Sequence, residues 1–392
     1  MDFNNKYETL DDFISSRLND EEVGIWFYDN GLEKFIIKLP NHIIRAINQG
    51  CKLEMLVGQY FVSEKTYPVI GLFIYDHIDN PLIVTQSSNF LLEIDALKII
   101  LKSGNSILVD FYDELGVPVL SSNATLSENT VEIQWQNIDT EYNNDNWKKV
   151  LDQMKLDFDA KNYQDFQRIE INVSNGVAIQ SAFITDQNIT THYLEEKEGD
   201  QLEKKVFVPL ESIFKTNTIF LNPYFNSSGR KKELTDIFAH YELGTFYIES
   251  KVLSSQKSFD KSISKQQDNI KKQILKAVNQ LAGALRNVSN EISVFDSKSN
   301  LKIEINKGLV PQCIILVSEL PSFGEWEDLN ISIFELISKY NCYLNIMELS
   351  DFMKIIKLAR GSIEKLDYYL MKRAEGFETT KTFFYKTEVV FN

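Results

Sequence analysis

The chain has 392 residues, of which 43% are hydrophobic and 12% aromatic, enough for two or three domains with apolar cores. No run of about 18 apolar residues appears and the first residues are acidic and polar, so we expect no membrane span and no secretory signal, and place the protein in the cytoplasm. The 3 cysteines and 4 histidines are dispersed without metal-ligand spacing, which argues against a structural zinc site and a disulfide framework.

Residues 1–190 are predicted to form a mixed α/β, strand-rich module that regulates the rest of the chain or senses a signal for it. Its periodicity predicts a short helix up to about Asp20, further helices at Asn41–Ile47, Ile94–Lys102 and around Trp147–Leu156, and strands at Glu33–Lys38, Leu53–Val62, Tyr67–Tyr75, Pro81–Thr85, Ser106–Tyr112, Thr130–Trp135, Arg168–Val173 and Val177–Phe183. We find no catalytic constellation in this module.

Residues 191–392 are predicted to form a second domain, in which a mixed central sheet is flanked by helices. The predicted elements are a helix at about His192–Phe214, a strand at Thr218–Phe225, a hairpin within Glu233–Lys251, a long helix at about Phe259–Asn287, a strand at Gln312–Ser318, helices at Leu329–Tyr340, Leu349–Leu358 and Ile363–Arg373, and a strand at Cys342–Met347. The long helix carries an apolar stripe typical of a helix that lies against a sheet.

The hairpin carries acids at positions that a strand normally reserves for apolar side chains. If its turn is centred on Glu242 and Leu243, Asp236 lies across from Glu249 with the side chains roughly 5 Å apart. Two carboxylates so placed repel each other and burial adds to the cost, so the pattern predicts a divalent cation between them. The two-residue period of a strand puts Lys251 on the same face as Glu249.

Positive charge surrounds this acidic pair. Residues 221–290 contain eleven Lys or Arg against six Asp or Glu, although the formal net charge of the whole chain is −15. The overall charge predicts poor general affinity for nucleic acid, whereas a basic rim around a carboxylate centre suits a polyanion held against a metal. A lysine-rich helix face is also often only solvated.

The order helix, strand, Asp-bearing strand, Glu-x-Lys strand and helix resembles the PD-(D/E)xK superfamily, the restriction-endonuclease-like nucleases. Asp236 is similar to its strand aspartate, and Glu249-Ser250-Lys251 is similar to its Glu-x-Lys. Gln280 is similar to the first residue of its Gln-x-x-x-Tyr element, with Ala284 in place of the tyrosine. Glu203 resembles the first-helix glutamate of many members, and the likeness covers roughly residues 192 to 320.

The resemblance implies a metal-dependent nuclease that hydrolyses phosphodiester bonds, in DNA rather than RNA, and as an endonuclease rather than an exonuclease. Asp236, Glu249 and the backbone carbonyl of Ser250 would hold Mg²⁺, for which Mn²⁺ can substitute, and Glu203 would complete the shell or bind a second ion. Lys251, with its pKa lowered by the cation and by burial, would orient water or stabilise the phosphate, and Gln280 would assist.

Several alternatives stay open for individual residues. Glu249 and Lys251 could form an exposed ion pair on an edge strand, and Glu203 could belong to a solvated helix face. Glu233, three residues before Asp236, points to the opposite face in a regular strand and would need a bulge to join the metal.

The alternatives for the whole protein are a nuclease-fold protein that binds nucleic acid or a partner protein without cutting, and, with little support, an unrelated enzyme in residues 1–190. A nuclease domain attached to a separate module resembles effectors of bacterial defence against phage, which implies a homodimer or higher homo-oligomer and a regulatory partner. The acidic first half is expected to help keep DNA away.

Overall fold

The computed structural model describes most of the chain and divides it into two compact units, each with its own core. The described residues are 9–76, 81–88, 90–103, 106–127, 135–139, 144–164, 166–184, 189–194, 197–252, 263–317, 320 and 326–380. The first unit extends to Ser181 and the second begins at Ala182, a few residues before the predicted boundary at 190 and 191. The predicted mixed α/β fold class is confirmed.

The first unit is built around a nine-stranded sheet with the order β1-β2-β6-β7-β8-β3-β4-β5, in which β9 pairs with β7. Its strands are β1 (Gly24–Asp29), β2 (Glu33–Lys38), β3 (Leu53–Val62), β4 (Lys65–Ile74), β5 (Leu82–Ser87), β6 (Ile107–Tyr112), β7 (Pro118–Leu126), β8 (Gln167–Val173) and β9 (Val177–Ala178). Its helices are α1 (Leu10–Asp20), α2 (Asn41–Asn48), α3 (Leu91–Ser103) and α4 (Asn144–Asp159).

Most elements predicted for this unit occur close to their predicted bounds, while β1 and β7 were not predicted. The hairpin of β3 and β4 turns on Ser63 and Glu64, which both have positive φ, the backbone that a two-residue hairpin turn requires. The strand predicted at Thr130–Trp135 lies almost wholly outside the described residues.

The second unit contains a five-stranded central sheet and a smaller, four-stranded sheet. The chain reaches them through a two-stranded sheet of β10 (Gln180–Ile184) and β11 (Ile189–Tyr193). The remaining strands are β12 (Ile219–Leu221), β13 (Tyr224–Ser227), β14 (Arg230–Glu233), β15 (Ile237–His240), β16 (Thr245–Lys251), β17 (Val294–Phe295), β18 (Lys302–Ile303), β19 (Pro311–Val317) and β20 (Tyr343–Glu348). The helices are α5 (Glu198–Glu211), α6 (Ile263–Ser289), α7 (Glu327–Tyr340), α8 (Leu349–Ala359) and α9 (Ile363–Thr380).

The central sheet is mixed and buried on both faces. Its order is β12-β15-β16-β19-β20, antiparallel from β12 to β16 and parallel from β16 to β20, with α6 connecting the parallel strands β16 and β19. One face packs on α6 and α7 and the other on α5, α8 and α9. A mixed central sheet flanked by helices was the predicted architecture of this half, and it is confirmed.

The small sheet has the strand order β14-β13-β17-β18. The single strand predicted at Thr218–Phe225 is divided in the structure, with β12 in the central sheet and β13 in the small sheet. That prediction was wrong because Asn222 has a φ of 49° and is followed by Pro223, which together end β12 and redirect the chain into β13. The four residues of β14 are all exposed, so they carry no apolar alternation from which a strand is predicted.

Two further predictions need correction or stay outside the described chain. The helix predicted from His192 begins later, at Glu198, because His192 belongs to the β11 strand. Residues 253–262, which include the predicted start of the long helix, are not described. Within the described residues, no helix is long and apolar enough to cross a membrane.

Candidate metal and phosphodiester site

The hairpin of β15 and β16 has the predicted register. Ile237 pairs with Ile248 and His240 with Thr245. The turn is closed by a hydrogen bond of 3.0 Å that the Tyr241 N–H donates to the Gly244 carbonyl. The register continues to place Asp236 across from Glu249, and strand alternation turns both toward α6, as it does the Tyr247 side chain. The strand β16 is interior, so the alternative of an exposed ion pair on an edge strand is wrong.

The oxygens predicted to bind a metal surround the ammonium of Lys251. Its Nζ lies 2.7 Å from Oε2 of Glu249, 3.1 Å from the Ser250 carbonyl oxygen and 3.6 Å from Oδ2 of Asp236. Glu249 is 1% exposed, Asp236 6% and Lys251 8%. A buried carboxylate pair therefore meets one cation, which in this structure is a side chain of the same strand.

The cost of burying Glu249 raises the pKa of this carboxyl. Burial, followed by the nearby Asp236 carboxylate, raises the pKa of Glu249 to about 7, although the Lys251 ammonium opposes the shift. Its Oε1 atom is buried and has no hydrogen-bond partner among the described residues, and the same holds for the Ser250 hydroxyl. A buried acceptor without a partner is where an additional cation or water gains most.

The predicted lowering of the Lys251 pKa depends on a bound cation and stays a prediction. Burial alone lowers the pKa of Lys251, but Glu249 and Asp236 together outweigh that effect, so the pKa is raised. The prediction assumed a neighbouring cation, whereas here the neighbours of the ammonium are two acids. Lys251 is therefore charged, and it neutralises part of the acidic pair.

Asp236 is held in place by the backbone of the next strand. Its Oδ2 accepts a hydrogen bond of 2.5 Å from the Ser250 N–H, and its carbonyl accepts one of 2.7 Å from the Asn222 N–H. Asn222 also donates from Nδ2 to Oε2 of Glu203 at 3.2 Å. Asn222, which the sequence did not single out, thus links Asp236 to α5.

Glu203 is not a solvated residue of an open helix face. It is half-buried, and its pKa is raised by burial and by the charge of Asp236. Glu203 therefore belongs to the same electrostatic cluster as the hairpin acids, although the hydrogen bond that its Oε2 accepts comes from Asn222 and not from a hairpin residue.

Glu233 joins the cluster, contrary to the expectation that it would point away. Glu233 is the last residue of β14 in the small sheet, and β15 begins at Ile237 in the central sheet. Between them, the Leu234 N–H donates a hydrogen bond of 2.8 Å to the Pro223 carbonyl. The two-residue alternation assumed for one continuous strand is thereby broken. Burial, and then the charge of Asp236, raise the pKa of Glu233 to about 7 even though its residue surface is largely exposed.

A pocket of about 180 Å³ brings Gln280 to the same place. Glu233, Glu249 and Gln280 all line it, and Gly283 and Ala284 of α6 form part of its wall. The Oε1 atom of Gln280 is buried without a hydrogen-bond partner among the described residues. The alanine at the position of the superfamily's tyrosine is 2% exposed and leaves space here.

These residues fit Mg²⁺ by the chemistry of their donors, with one condition. Two carboxylates and a carbonyl are the hard oxygens that this ion prefers, and Glu249 has an oxygen free to bind. As the side chains stand, no three His, Cys, Asp or Glu in the described part of the chain form a group that could hold a metal ion. The Lys251 ammonium would therefore have to move away from these oxygens for a cation to be bound.

Comparison with known proteins adds little to this geometry. No protein-family model matches the sequence, and no curated protein is significantly similar to it. One solved structure with partial similarity is the small subunit (R.BspD6I2) of the heterodimeric restriction endonuclease R.BspD6I, with 14% identity, 45% of this chain and 86% of that chain covered, and a TM-score of 0.26. A likeness at this level carries no argument about activity.

Proposed function

We propose that the second unit is a Mg²⁺-dependent nuclease that hydrolyses phosphodiester bonds in DNA, with Mn²⁺ able to replace Mg²⁺. The observation that supports it most is the convergence of Asp236, Glu249 and the Ser250 carbonyl on one buried cation position at the edge of a pocket. Burying acids in this way costs free energy, which suggests a role beyond folding.

In this proposal Asp236, Glu249 and the Ser250 carbonyl hold the ion, and Glu203 or Glu233 completes its surroundings. Bound Mg²⁺ would favour loss of a proton from water and neutralise charge on the phosphate. The Lys251 ammonium, once released from the carboxylates, would donate hydrogen bonds to phosphate oxygens as negative charge develops on them. Gln280 would orient a water in the pocket through its unpartnered Oε1.

The resemblance of these residues to the PD-(D/E)xK superfamily extends the proposal to an endonuclease that acts in bacterial defence against phage. The same resemblance adds to the proposal a homodimer or higher homo-oligomer, in which the first unit restrains or targets the second. These parts of the proposal rest on the resemblance alone.

A second candidate is a nuclease-fold protein that binds nucleic acid or a partner protein without cutting. The observation that favours it is the present arrangement, in which the Lys251 ammonium already donates to Oε2 of Glu249 and to the Ser250 carbonyl. In that case the acids and the lysine would form a structural ion cluster, and binding would not depend on a divalent cation.

Cleavage assays with the full chain separate the two candidates. We expect Mg²⁺-dependent or Mn²⁺-dependent cleavage of linear or circular DNA, and a loss of about 100-fold or more in Asp236→Ala and Lys251→Ala. The matched controls are Asp95→Ala and Lys98→Ala, an ion pair on α3 of an exposed acid and a partly exposed lysine, with 3.2 Å between its charged atoms. Equal cleavage by all four variants would rule out this mechanism, whereas DNA binding in EDTA without cleavage in any metal would support the second candidate.

A further inference from the structure

We propose that the β14 edge of the small sheet holds the phosphate backbone of a DNA duplex beside the acid cluster. This inference rests on the proposed function, because it names the element that would bring the substrate to that site. It concerns binding and not cleavage, so the two are separable by experiment.

The small sheet is locally basic in an acidic protein. Arg230, Lys231 and Lys232 follow one another on β14, and the hairpin of β17 and β18 adds Lys298 and Lys302. The only acids within these strands and the turn of that hairpin are Glu233 and Asp296, in a chain with a formal net charge of −15. Such a concentration of positive charge complements a polyanion.

The geometry directs this charge toward the pocket. Arg230 pairs with Ser227 and Lys232 with Phe225, so the two cations share one face of β14, about 7 Å apart along the strand. Lys232 lines the pocket together with Glu249 and Gln280, and Phe225 anchors that face in the core. A phosphate backbone that follows Arg230 and Lys232 would therefore lead to the proposed cleavage position.

The side chains of Arg230 and Lys232 are exposed, and neither side chain forms an ion pair or hydrogen bond with the part of the chain that the structure describes. Exposed lysines on an edge strand also protect a sheet from pairing with other edges, and β14 is an edge of the small sheet. That protective role predicts no effect of these residues on DNA affinity, which makes the two roles distinguishable.

The aromatic residues of the sheet favour backbone contact over stacking with unpaired bases. Tyr224 stacks on Phe295 with 5.6 Å between ring centroids, and the Lys231 ammonium lies 4.1 Å from the Tyr224 centroid. Lys231 and the Tyr224 hydroxyl both donate to Oδ1 of Asn300, at 3.1 and 3.0 Å. Because these groups are engaged with one another, the sheet presents cations to a ligand. It does not present the free aromatic side chains on which a single-strand binder stacks unpaired bases.

The test measures binding of a fluorescent duplex to the full chain by anisotropy in EDTA, over a range of salt concentrations. For the double variant Arg230→Gln/Lys232→Gln we expect affinity to fall about 10-fold or more at low salt and the slope of log K against log salt to shrink by about 2. The matched control is Lys148→Gln/Lys149→Gln, which removes the same charge from two exposed lysines of α4 and should change the affinity much less.

The outcomes separate this inference from the proposed function. An unchanged salt slope in Arg230→Gln/Lys232→Gln, an equal loss in the control, no duplex binding by the unmodified chain, or a loss confined to single strands would each overturn the inference. If the unmodified chain cleaves DNA while the double variant binds normally, the nuclease proposal stands without this surface. If the double variant loses binding but no metal supports cleavage, the surface stands without the nuclease.

Discussion

At the scale of single residues, the Lys251 ammonium provides the positive charge that the buried acids Glu249 and Asp236 need. Its ammonium lies within hydrogen-bonding distance of Glu249 and the Ser250 carbonyl, and it offsets the repulsion between Glu249 and Asp236. A buried ion pair adds little to stability when compared with apolar residues of the same shape, but removal of one partner leaves a buried charge without compensation. The same lysine therefore stabilises the fold and, in the proposed function, serves the chemistry.

The buried position of Lys251 predicts an effect on the free energy of unfolding that does not depend on catalysis. In EDTA at pH 8, Lys251→Met should lower the free energy of unfolding by about 3–5 kcal/mol, because Glu249 and Asp236 are left buried together. Millimolar Mg²⁺ should restore part of the loss, since the ammonium no longer competes for the same oxygens. Chemical denaturation with and without Mg²⁺ measures both effects.

The matched control for Lys251→Met is Lys372→Met on α9. Lys372 has a comparable ion pair, with 2.6 Å to Glu375, but both side chains are about half exposed, so little change in stability is expected. A similar loss in both variants would show that burial of the Lys251 cluster does not matter. A large loss in Lys251→Met that Mg²⁺ leaves unchanged would argue that the acids do not bind the ion.

At the scale of elements, short-range pairing explains what was predictable in the second unit. The β15–β16 hairpin is closed by a short turn, and its apolar alternation admits one register, since a slip by one residue would turn every side chain to the other face. The division between the central sheet and the small sheet depends on Asn222, Pro223 and residues 234–236, where the chain changes sheet. No periodicity marks that change.

In the first unit, α3 contains a buried acid that makes the stability of this element depend on pH. Glu93 is 0% exposed, and it accepts hydrogen bonds from the Ser88 hydroxyl and, at 3.3 Å, from Nε2 of Gln86. Burial raises its pKa to about 7, despite these hydrogen bonds and the charge of Arg17. The folded unit therefore holds a proton on Glu93 that the unfolded chain releases above a pKa of about 4.3.

The sign of the effect follows from this difference. The stabilisation linked to the Glu93 proton amounts to at most about 4 kcal/mol, is complete below the unfolded pKa, and is lost as the pH rises through about 7. Glu93→Gln imitates the protonated form, so its first unit should lose less stability than the unmodified protein between pH 5 and pH 8. Hydrogen exchange of peptides from the first unit, measured for both proteins, tests the difference, and parallel pH profiles would contradict it.

At the scale of the whole molecule, the net charge belongs to the first part of the chain. Residues 1–190 contain 29 Asp or Glu and 14 Lys or Arg, whereas residues 191–392 contain 27 of each. The negative charge that makes the chain as a whole unfavourable for DNA is therefore separate in sequence from the proposed binding surface. Charge repulsion of this kind is screened by salt, with a Debye length of about 8 Å at physiological ionic strength.

This distribution predicts how the full chain responds to neutralisation of the first unit. Replacing the exposed Asp20, Glu64 and Asp152 with their amides should strengthen duplex binding at low salt and have no effect above about 0.5 M salt. Binding at several salt concentrations is the measurement, and an exposed polar substitution, Asn19→Ser, is the uncharged control. Unchanged binding at low salt would show that the acidic unit does not influence DNA.

Local patterns in the sequence determined most helices and strands, the mixed α/β class, and the meeting of Asp236, Glu249 and Lys251. They did so because strand alternation and hairpin register act over a few residues. Such patterns do not specify contacts between residues far apart in sequence.

The tertiary structure alone decided that Glu233 turns back to the cluster, that Asn222 joins Glu203 to Asp236, and that Gln280 reaches the pocket from α6. It also decided that the ammonium of Lys251 occupies the position expected for a metal, and that β14 forms the edge of a separate sheet. These arrangements depend on how the two sheets and the flanking helices pack, and packing is set by the shape and burial of the whole unit, which local periodicity does not encode.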